Sequence, residues 1–269
     1  MGCNSSRPDK PCHEIALMNG DNSLLYTLHD IWTINSSLKT HLKDGQLGKS
    51  ELRQYLRANS LAYDEKVEVF YKGLKSGKIF ESKVLATLAC LLCKGNTDRK
   101  AEVLVENWGQ GGKIAKEEFE KMIDCIFELV VENLPFLASA PTSDNNYTPD
   151  EMTRFLETAK AGREKSKQEI IDSLFTISAC SKSQIQAYFA NPNNESWLVP
   201  YSIRQKLKSA GKSIRKSKKL GKSASNSLQK SQDPELNNKV SHSVELTEEH
   251  HHDYDHHHKH HEGRIDASE

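Results

Sequence analysis

The stretch "VENWGQGGKIAKEEFEKM", Val105–Met122, decides how the rest of the chain is read. It runs from Trp108 through Gly109, Gly111 and Gly112 to a lone Ile114, and then to Glu118. Beyond Glu118 the apolar residues Phe119, Met122, Ile123, Ile126, Phe127, Val130 and Val131 recur at threes and fours. That pattern predicts a helix with one buried face. Upstream, Ala101, Leu104, Val105 and Trp108 keep helical phase, so the entering helix is expected to run on to Trp108. The unit is therefore helix, glycine turn, one strand-type residue, helix.

The unit recurs. Gly45/Leu47, Gly77/Ile79, Gly112/Ile114 and, more weakly, Ser183/Ile185 each set a small residue two positions before Leu or Ile. The first three anchors lie 32 and 35 residues apart, a spacing that points to tandem repetition. Helices are expected over 23–40 (Leu24, Leu25, Leu28, Ile31 and Trp32 on one side), over "KSELRQYL", over 63–74 and over 81–93. Two more are expected over 166–178 and 182–190. Thr148-Pro149-Asp150-Glu151 reads as a helix start, with Thr as N-cap and Glu reaching back.

These features resemble the EF-hand superfamily. The segment "GKIFESKVLATLACLLCKGNTDRKAEVLVENWGQGGKIAKEEFEKMIDCIFELV" is similar to the middle of neuronal calcium sensor and calcineurin B type proteins. It is more similar still to the EF-hand-like N-terminal half of TLDc-domain proteins, although no TLDc β-sandwich follows. The resemblance covers about residues 20–200. It implies an all-α fold of two paired EF-hand-like lobes with degenerate loops and disordered N- and C-terminal extensions. The expected divisions are an acylated segment 1–19, hands one to three over 20–133, a linker with a helix over 134–165, a degenerate fourth hand over 166–202, a basic tail 203–230 and an acidic His-rich tail 231–269. In the sensor family partner helices lie in an apolar groove, which here implies Leu88, Phe119, Met122 and Ile126.

The loops are poor in metal ligands. In a calcium loop the sixth residue turns sharply, the eighth pairs with a partner loop and the twelfth supplies a bidentate Glu. In that frame loop one offers Thr40, Leu42, Asp44 and Glu51 at positions one, three, five and twelve. Loop two offers Lys72, Leu74, Ser76 and Lys83; loop three Asn107, Gly109, Gly111 and Glu118; loop four Ser178, Cys180, Lys182 and Phe189. Calcium takes six to eight oxygens, several of them carboxylate. The candidate calcium ligands are therefore only Asp44 with Glu51 and Asn107 with Glu118, and shape kept by packing is the favoured expectation. By the phase of Ile31 and Trp32 loop one looks longer than standard, and by that of Ala101, Leu104, Val105 and Trp108 loop three looks shorter.

The ends carry other signals. The net charge of zero is a cancellation: residues 1–202 hold 24 basic and 27 acidic side chains, 203–230 ten basic and none acidic, 231–269 three basic and ten acidic. "MGCNSS" fits N-myristoylation at Gly2 with Cys3 open to palmitate, and "MGCNSSRPDK" has no apolar core of a secretory signal. No run of 18 apolar residues occurs. Arg204, Lys206, Lys208, Lys212, Arg215, Lys216, Lys218, Lys219 and Lys222 form a candidate face for an anionic membrane, with Ser209, Ser213, Ser217 and Ser223 between them as sites where phosphate would weaken it. A nucleic-acid patch is the competing reading, disfavoured because no aromatic interleaves the charges. His250, His251, His252, His256, His257, His258, His260 and His261 form a candidate zinc, copper or nickel tract, or a cluster that charges below about pH 6.5; a low-complexity run with no fixed ligand geometry is the favoured expectation. Cys90 and Cys93 sit in the apolar run "VLATLACLLC" and are expected as buried, reduced thiols.

No nucleophile–base constellation, phosphate loop or G-x-S-x-G motif appears. The expectation is a non-enzymatic, N-acylated adaptor on the cytoplasmic face of a membrane, with a protein partner. The alternatives are a low-affinity calcium sensor and a nucleic-acid or scaffold protein led by its basic tail.

Overall fold

The computed structural model describes residues 11–43, 46–141, 146–175 and 179–230, the last with side chains through residue 217. The chain divides into a unit of residues 1–224 and a unit of 225–269, and of the second only the helical backbone of 225–230 is described. The fold is mostly helical with two small antiparallel sheets.

Helix starts follow local chemistry. The side chains of Asp30, Asp64 and Asn96 accept hydrogen bonds from the backbone N–H groups of Trp32, Val67 and Arg99. They thereby cap α2 (Ile31–His41), α4 (Glu65–Gly73) and α6 (Thr97–Trp108), satisfying N–H groups the helix itself leaves unpaired. Reciprocal Thr148–Glu151 and Ser181–Gln184 capping boxes open α8 (Pro149–Ala161) and α10 (Lys182–Ala190). The remaining helices are α1 (Cys12–Ser23), α3 (Lys49–Ala58), α5 (Ser82–Leu92), α7 (Lys116–Glu128), α9 (Arg163–Leu174) and α11 (Pro200–Lys230).

Four helix–turn–helix units share one plan. The helices α2/α3, α4/α5, α6/α7 and α9/α10 are joined by residues 42–48, 74–81, 109–115 and 175–181, seven or eight residues each. Each of the first three connections closes on itself as a tight hairpin. Lys43 and Gln46 exchange both backbone hydrogen bonds, as do Gln110 and Lys113. Between the latter, Gly111 and Gly112 have φ of +57° and +72°, the two positive values a type I′ hairpin needs. In the second connection β2 (Lys75–Ser76) folds back on β3 (Ile79–Glu81) around Gly77. The units then pair: β1 (Gln46–Leu47) with β3, and β4 (Lys113–Ala115) with β5 (Ala179–Ser181).

Three expectations need correction. The helix drawn over 23–40 is broken after Ser23, because Asp30 caps a fresh start. There the Ile31 N–H bonds to the Lys94 carbonyl and the Lys94 N–H to that of His29, each at 2.9 Å. Leu24 and Ile31 are buried, but Leu25, Leu28 and Trp32 are exposed at 37, 64 and 43%. Loop one is consequently no longer than the others, since Ile34 and Leu38 carry α2 on to His41. The loop-three expectation holds: α6 ends on Trp108, whose indole N–H bonds to Thr87 Oγ1 at 2.9 Å.

The second correction concerns register. Leu47 faces Phe80 rather than Ile79, and Ile114 faces Cys180 rather than Ile185. Phe80 and Cys180 are the residues that point into the core, and alternation along a strand sends their neighbours outward. The third correction concerns the tail, expected as disordered or conditionally helical and without buried surface. The segment 203–230 is helical, as the second alternative has it, but Ile203, Arg204, Leu207 and Gly211 bury one side of α11. The drawn boundaries at 19/20, 165/166 and 202/203 each cut a helix (α1, α9 and α11). Residues 1–10 and 231–269 lie outside the described residues.

Candidate functional site

The loop ligands come first. Asp44 lies outside the described residues. Glu51 Oε1 meets the Lys43 ammonium at 2.6 Å, and that hydrogen bond lowers the carboxyl's pKa. A lysine of the loop itself thus already neutralises the carboxylate expected to take calcium in two-oxygen fashion. In loop three Asn107 turns back along its own helix: its amide donates to the Val103 carbonyl at 2.8 Å and to Asn35 Oδ1 at 3.2 Å. Glu118 Oε1 pairs with Lys121 at 2.6 Å, which likewise lowers its pKa. Asn107 and Glu118 do line one cleft of about 500 Å³, but Lys83 and Lys113 line it too. Two ammonium groups against one carboxylate make it a poor place for a cation.

Loop four in its observed register sets Gln184, four residues after Cys180, in the twelfth position. Its side chain is spent on the backbone N–H of Ser181 at 2.9 Å. Among the described residues no group of three His, Cys, Asp or Glu side chains is arranged to hold a metal ion. All eight candidate histidines, His250 to His261, lie outside the described residues. Cys90 and Cys93 are buried, and burial raises the Cys93 thiol to about 12, far from the reactive range.

The expected partner groove is filled. Leu88, Phe119, Met122 and Ile126 are each no more than 1% exposed. The apolar face of α7 packs against α5 and α9, with the Phe119 and Phe175 rings 5.0 Å apart. This face reads as a groove in sequence because it is strongly one-sided; the partners that cover it are elements of the same chain.

The basic helix α11 divides its cations. Arg204 is 1% exposed: Nη1 and Nη2 each bond to an Asp21 carboxylate oxygen at 2.8 Å, and Nε bonds to the Val130 carbonyl at 3.0 Å. Burial raises the Asp21 pKa despite the guanidinium beside it, a sign of how much desolvation the pair bears. Lys206 lies 4.6 Å from the Trp197 ring centre and donates to the Asn193 carbonyl at 2.6 Å. Lys208 lies 4.6 Å from the Phe155 ring and 3.4 Å from Glu14. Of the nine, only Lys212, Arg215 and Lys216 are exposed among the described side chains, while those of Lys218, Lys219 and Lys222 lie outside the described ones. Arg204 is therefore a core residue and not a membrane contact.

The partner helix α1 was not expected, and it matters. Arg204 meets Asp21 near the end of α1, and Lys208, one turn later, meets Glu14 in its first turn. The two helices thus run antiparallel, and α11 continues past the end of α1 from which residues 1–10 lead. Pro11 followed by Glu14 in the first turn was the sequence signal for this helix. Gly2 and Cys3 lie outside the described residues. No described helix is long and apolar enough to cross a membrane.

Comparison with protein-family models, with curated proteins and with solved structures returned no match to this chain.

Proposed function

We propose that this chain is a non-enzymatic, membrane-tethered adaptor built from two pairs of degenerate EF-hand-like units. In this reading Gly2 and Cys3 carry acyl chains, and the solvent-facing cations of α11 meet anionic lipid on the cytoplasmic face. The observation that carries it is the antiparallel seating of α1 on α11, through Arg204–Asp21 and Lys208–Glu14. That seating gives Pro11, the first described residue, and the exposed Lys212, Arg215 and Lys216 a common end of the fold, which supports a shared tether. One acyl chain holds a protein only marginally, and a second signal makes the attachment stable. Three cations at about 1 kcal/mol each strengthen it roughly 100-fold. The EF-hand part rests on four connections of seven or eight residues paired two by two through short strands, with lysines on the two Glu side chains that would otherwise take metal. The adaptor part loses its expected groove on α7 and keeps the tether.

The test is fractionation of cells expressing wild type, Gly2→Ala and the triple variant Lys212→Ser/Arg215→Ser/Lys216→Ser. Each variant is expected to shift toward the soluble fraction and the combination to be wholly soluble. Full membrane retention of Gly2→Ala defeats the acylation. Micromolar calcium binding to the full chain by titration calorimetry defeats the metal-free loops.

A further inference from the structure

A second cleft, of about 490 Å³, lies between α9 and α11. The two helices come together at Gly162 and Gly211: a Cβ on Gly162 would lie 2.0 Å from the Leu207 carbonyl oxygen. Beside that contact the walls are formed by Lys165, Ser166 and Glu169 of α9, by Trp197 and by Gln205, Lys206, Ser209 and Ser213 of α11, two ammonium groups against one carboxylate. The donors are in excess. Among the described residues Lys206 has no carboxylate partner and leans instead on a carbonyl and the Trp197 ring. Its burial lowers its pKa, so an anion beside it would be welcome. Lys165 donates to Ser213 Oγ at 2.9 Å and reaches Glu169, the one carboxylate of the lining, only at 3.8 Å. The Gln205 amide nitrogen is buried with no hydrogen-bond partner, and such a donor costs free energy until something accepts from it.

The ammonium groups of Lys165 and Lys206, the unpaired Gln205 amide just beneath the surface and the Ser209 hydroxyl belong to residues that line one space. Against the single carboxylate of Glu169 they suit a tetrahedral dianion with three terminal oxygens. A carboxylate offers two oxygens and one charge and would leave donors unpaired. We propose that the α9–α11 cleft is a binding site for a phosphomonoester group, carried by a phosphorylated lipid headgroup or by a free phosphorylated small molecule. The lipid source rests on the tethering reading above; the site itself does not. Lys165 and Lys206 neutralise the phosphate, and Gln205 and Ser209 donate to its remaining oxygens. Phosphatidylserine, which carries a phosphodiester, is not its ligand.

The test uses the full chain with two probes. Soluble inositol 1,4,5-trisphosphate is titrated by calorimetry. Phosphatidylcholine vesicles containing either phosphatidylinositol 4,5-bisphosphate or phosphatidylserine, matched for charge, are used in co-sedimentation. Lys206→Gln and Lys165→Ala are each expected to weaken inositol phosphate binding about tenfold, the size of one charge-assisted hydrogen bond, while Lys78→Ala, at the exposed turn between β2 and β3, leaves it unchanged. Lys165 is a partly exposed surface cation, so its variant folds and keeps the test decisive if Lys206→Gln does not. Preference for phosphoinositide vesicles, lost in Lys165→Ala, supports the lipid source; soluble binding without that preference supports the free one. Soluble binding with no attachment to either vesicle keeps the site and sinks the tether. Absence of soluble binding, or binding indifferent to both lysines, overturns the site, and equal attachment to both vesicles would then leave the tether standing.

Discussion

Arg204 and Arg215 belong to the same helix and the same run of ten cations, yet they live in opposite surroundings. Arg204 is sealed against Asp21 and a backbone carbonyl, three turns from where Arg215 stands in water. Their difference comes from the apolar frame. Ile203, Leu207 and Gly211 recur every four residues and turn one stripe of α11 inward, and Arg204 falls on that stripe. A count of charges along a basic segment therefore overstates its membrane face. The side of the helix each charge occupies decides whether it is structure or surface.

The sharpest way to break the comparison is to remove Arg204. Arg204→Ala leaves the Asp21 carboxylate buried without a partner and is expected to cost about 3–5 kcal/mol in urea unfolding. The double replacement Asp21→Leu/Arg204→Met should recover most of that loss, because two desolvated charges leave together. A single variant as stable as wild type would show that Arg204 is solvated after all. On the exposed side the expectation reverses. Lys212→Ser/Arg215→Ser/Lys216→Ser should shift stability by no more than about 0.5 kcal/mol and weaken binding to anionic vesicles by about 3 kcal/mol. That weakening should shrink as salt rises. If the triple variant unfolds more readily than Arg204→Ala, the division of α11 into a buried and an exposed part is wrong.

Gly211 marks where the buried stripe meets α8. An alanine there would put Cβ 1.9 Å from the Thr158 carbonyl oxygen. In an open helix Gly→Ala gains up to about 1 kcal/mol; Gly211→Ala is expected to lose about 1–3 kcal/mol instead, as overpacking does. Thermal unfolding of the variant reads the sign directly. A gain would mean the helices are free to separate at this point.

Much of the fold was legible because its signals are local. The period of α7, the Thr148 capping box and the run of α6 to Trp108 each depend on residues within a few turns of one another. The fourth unit carries a local signal too: Ser181-x-x-Gln184 is a capping box that sets the strand position at Cys180, five residues before the apolar Ile185 that competes with it for that position. Helix α1 escaped for a different reason. Its buried side includes Glu14 and Asp21, so it shows little amphipathic period, and the partners that make those acids tolerable lie 194 and 183 residues away. The α9–α11 cleft is non-local in the same sense, since no spacing within either helix announces the other. The supposed α7 groove shows the converse: an apolar face is easy to see, and what covers it is not.

The smallest expected effect lies at the turn of α11 where buried gives way to exposed. His13 faces Lys208, Glu14, Glu151, Arg154 and Phe155 there. Its ring lies 4.9 Å from Phe155, and Nε2 lies 3.9 Å from the nearest Glu14 carboxylate oxygen. Burial lowers its pKa below 6.5, and Lys208 adds to this; Glu14 and Glu151 pull the other way without reversing it. The folded chain therefore resists a proton that the unfolded chain accepts near pH 6.5. As pH falls from about 6.5 toward the folded value, the unfolded state binds more protons and stability declines. His13→Leu removes the group, so its unfolding midpoint should fall less than wild type's over that window while the two run parallel above pH 7. Lys208→Met raises the folded pKa toward 6.5 and should flatten the decline in the same direction, more weakly. Should wild type and His13→Leu lose stability in parallel, His13 is solvated, and the sealed part of α11 ends before Lys208.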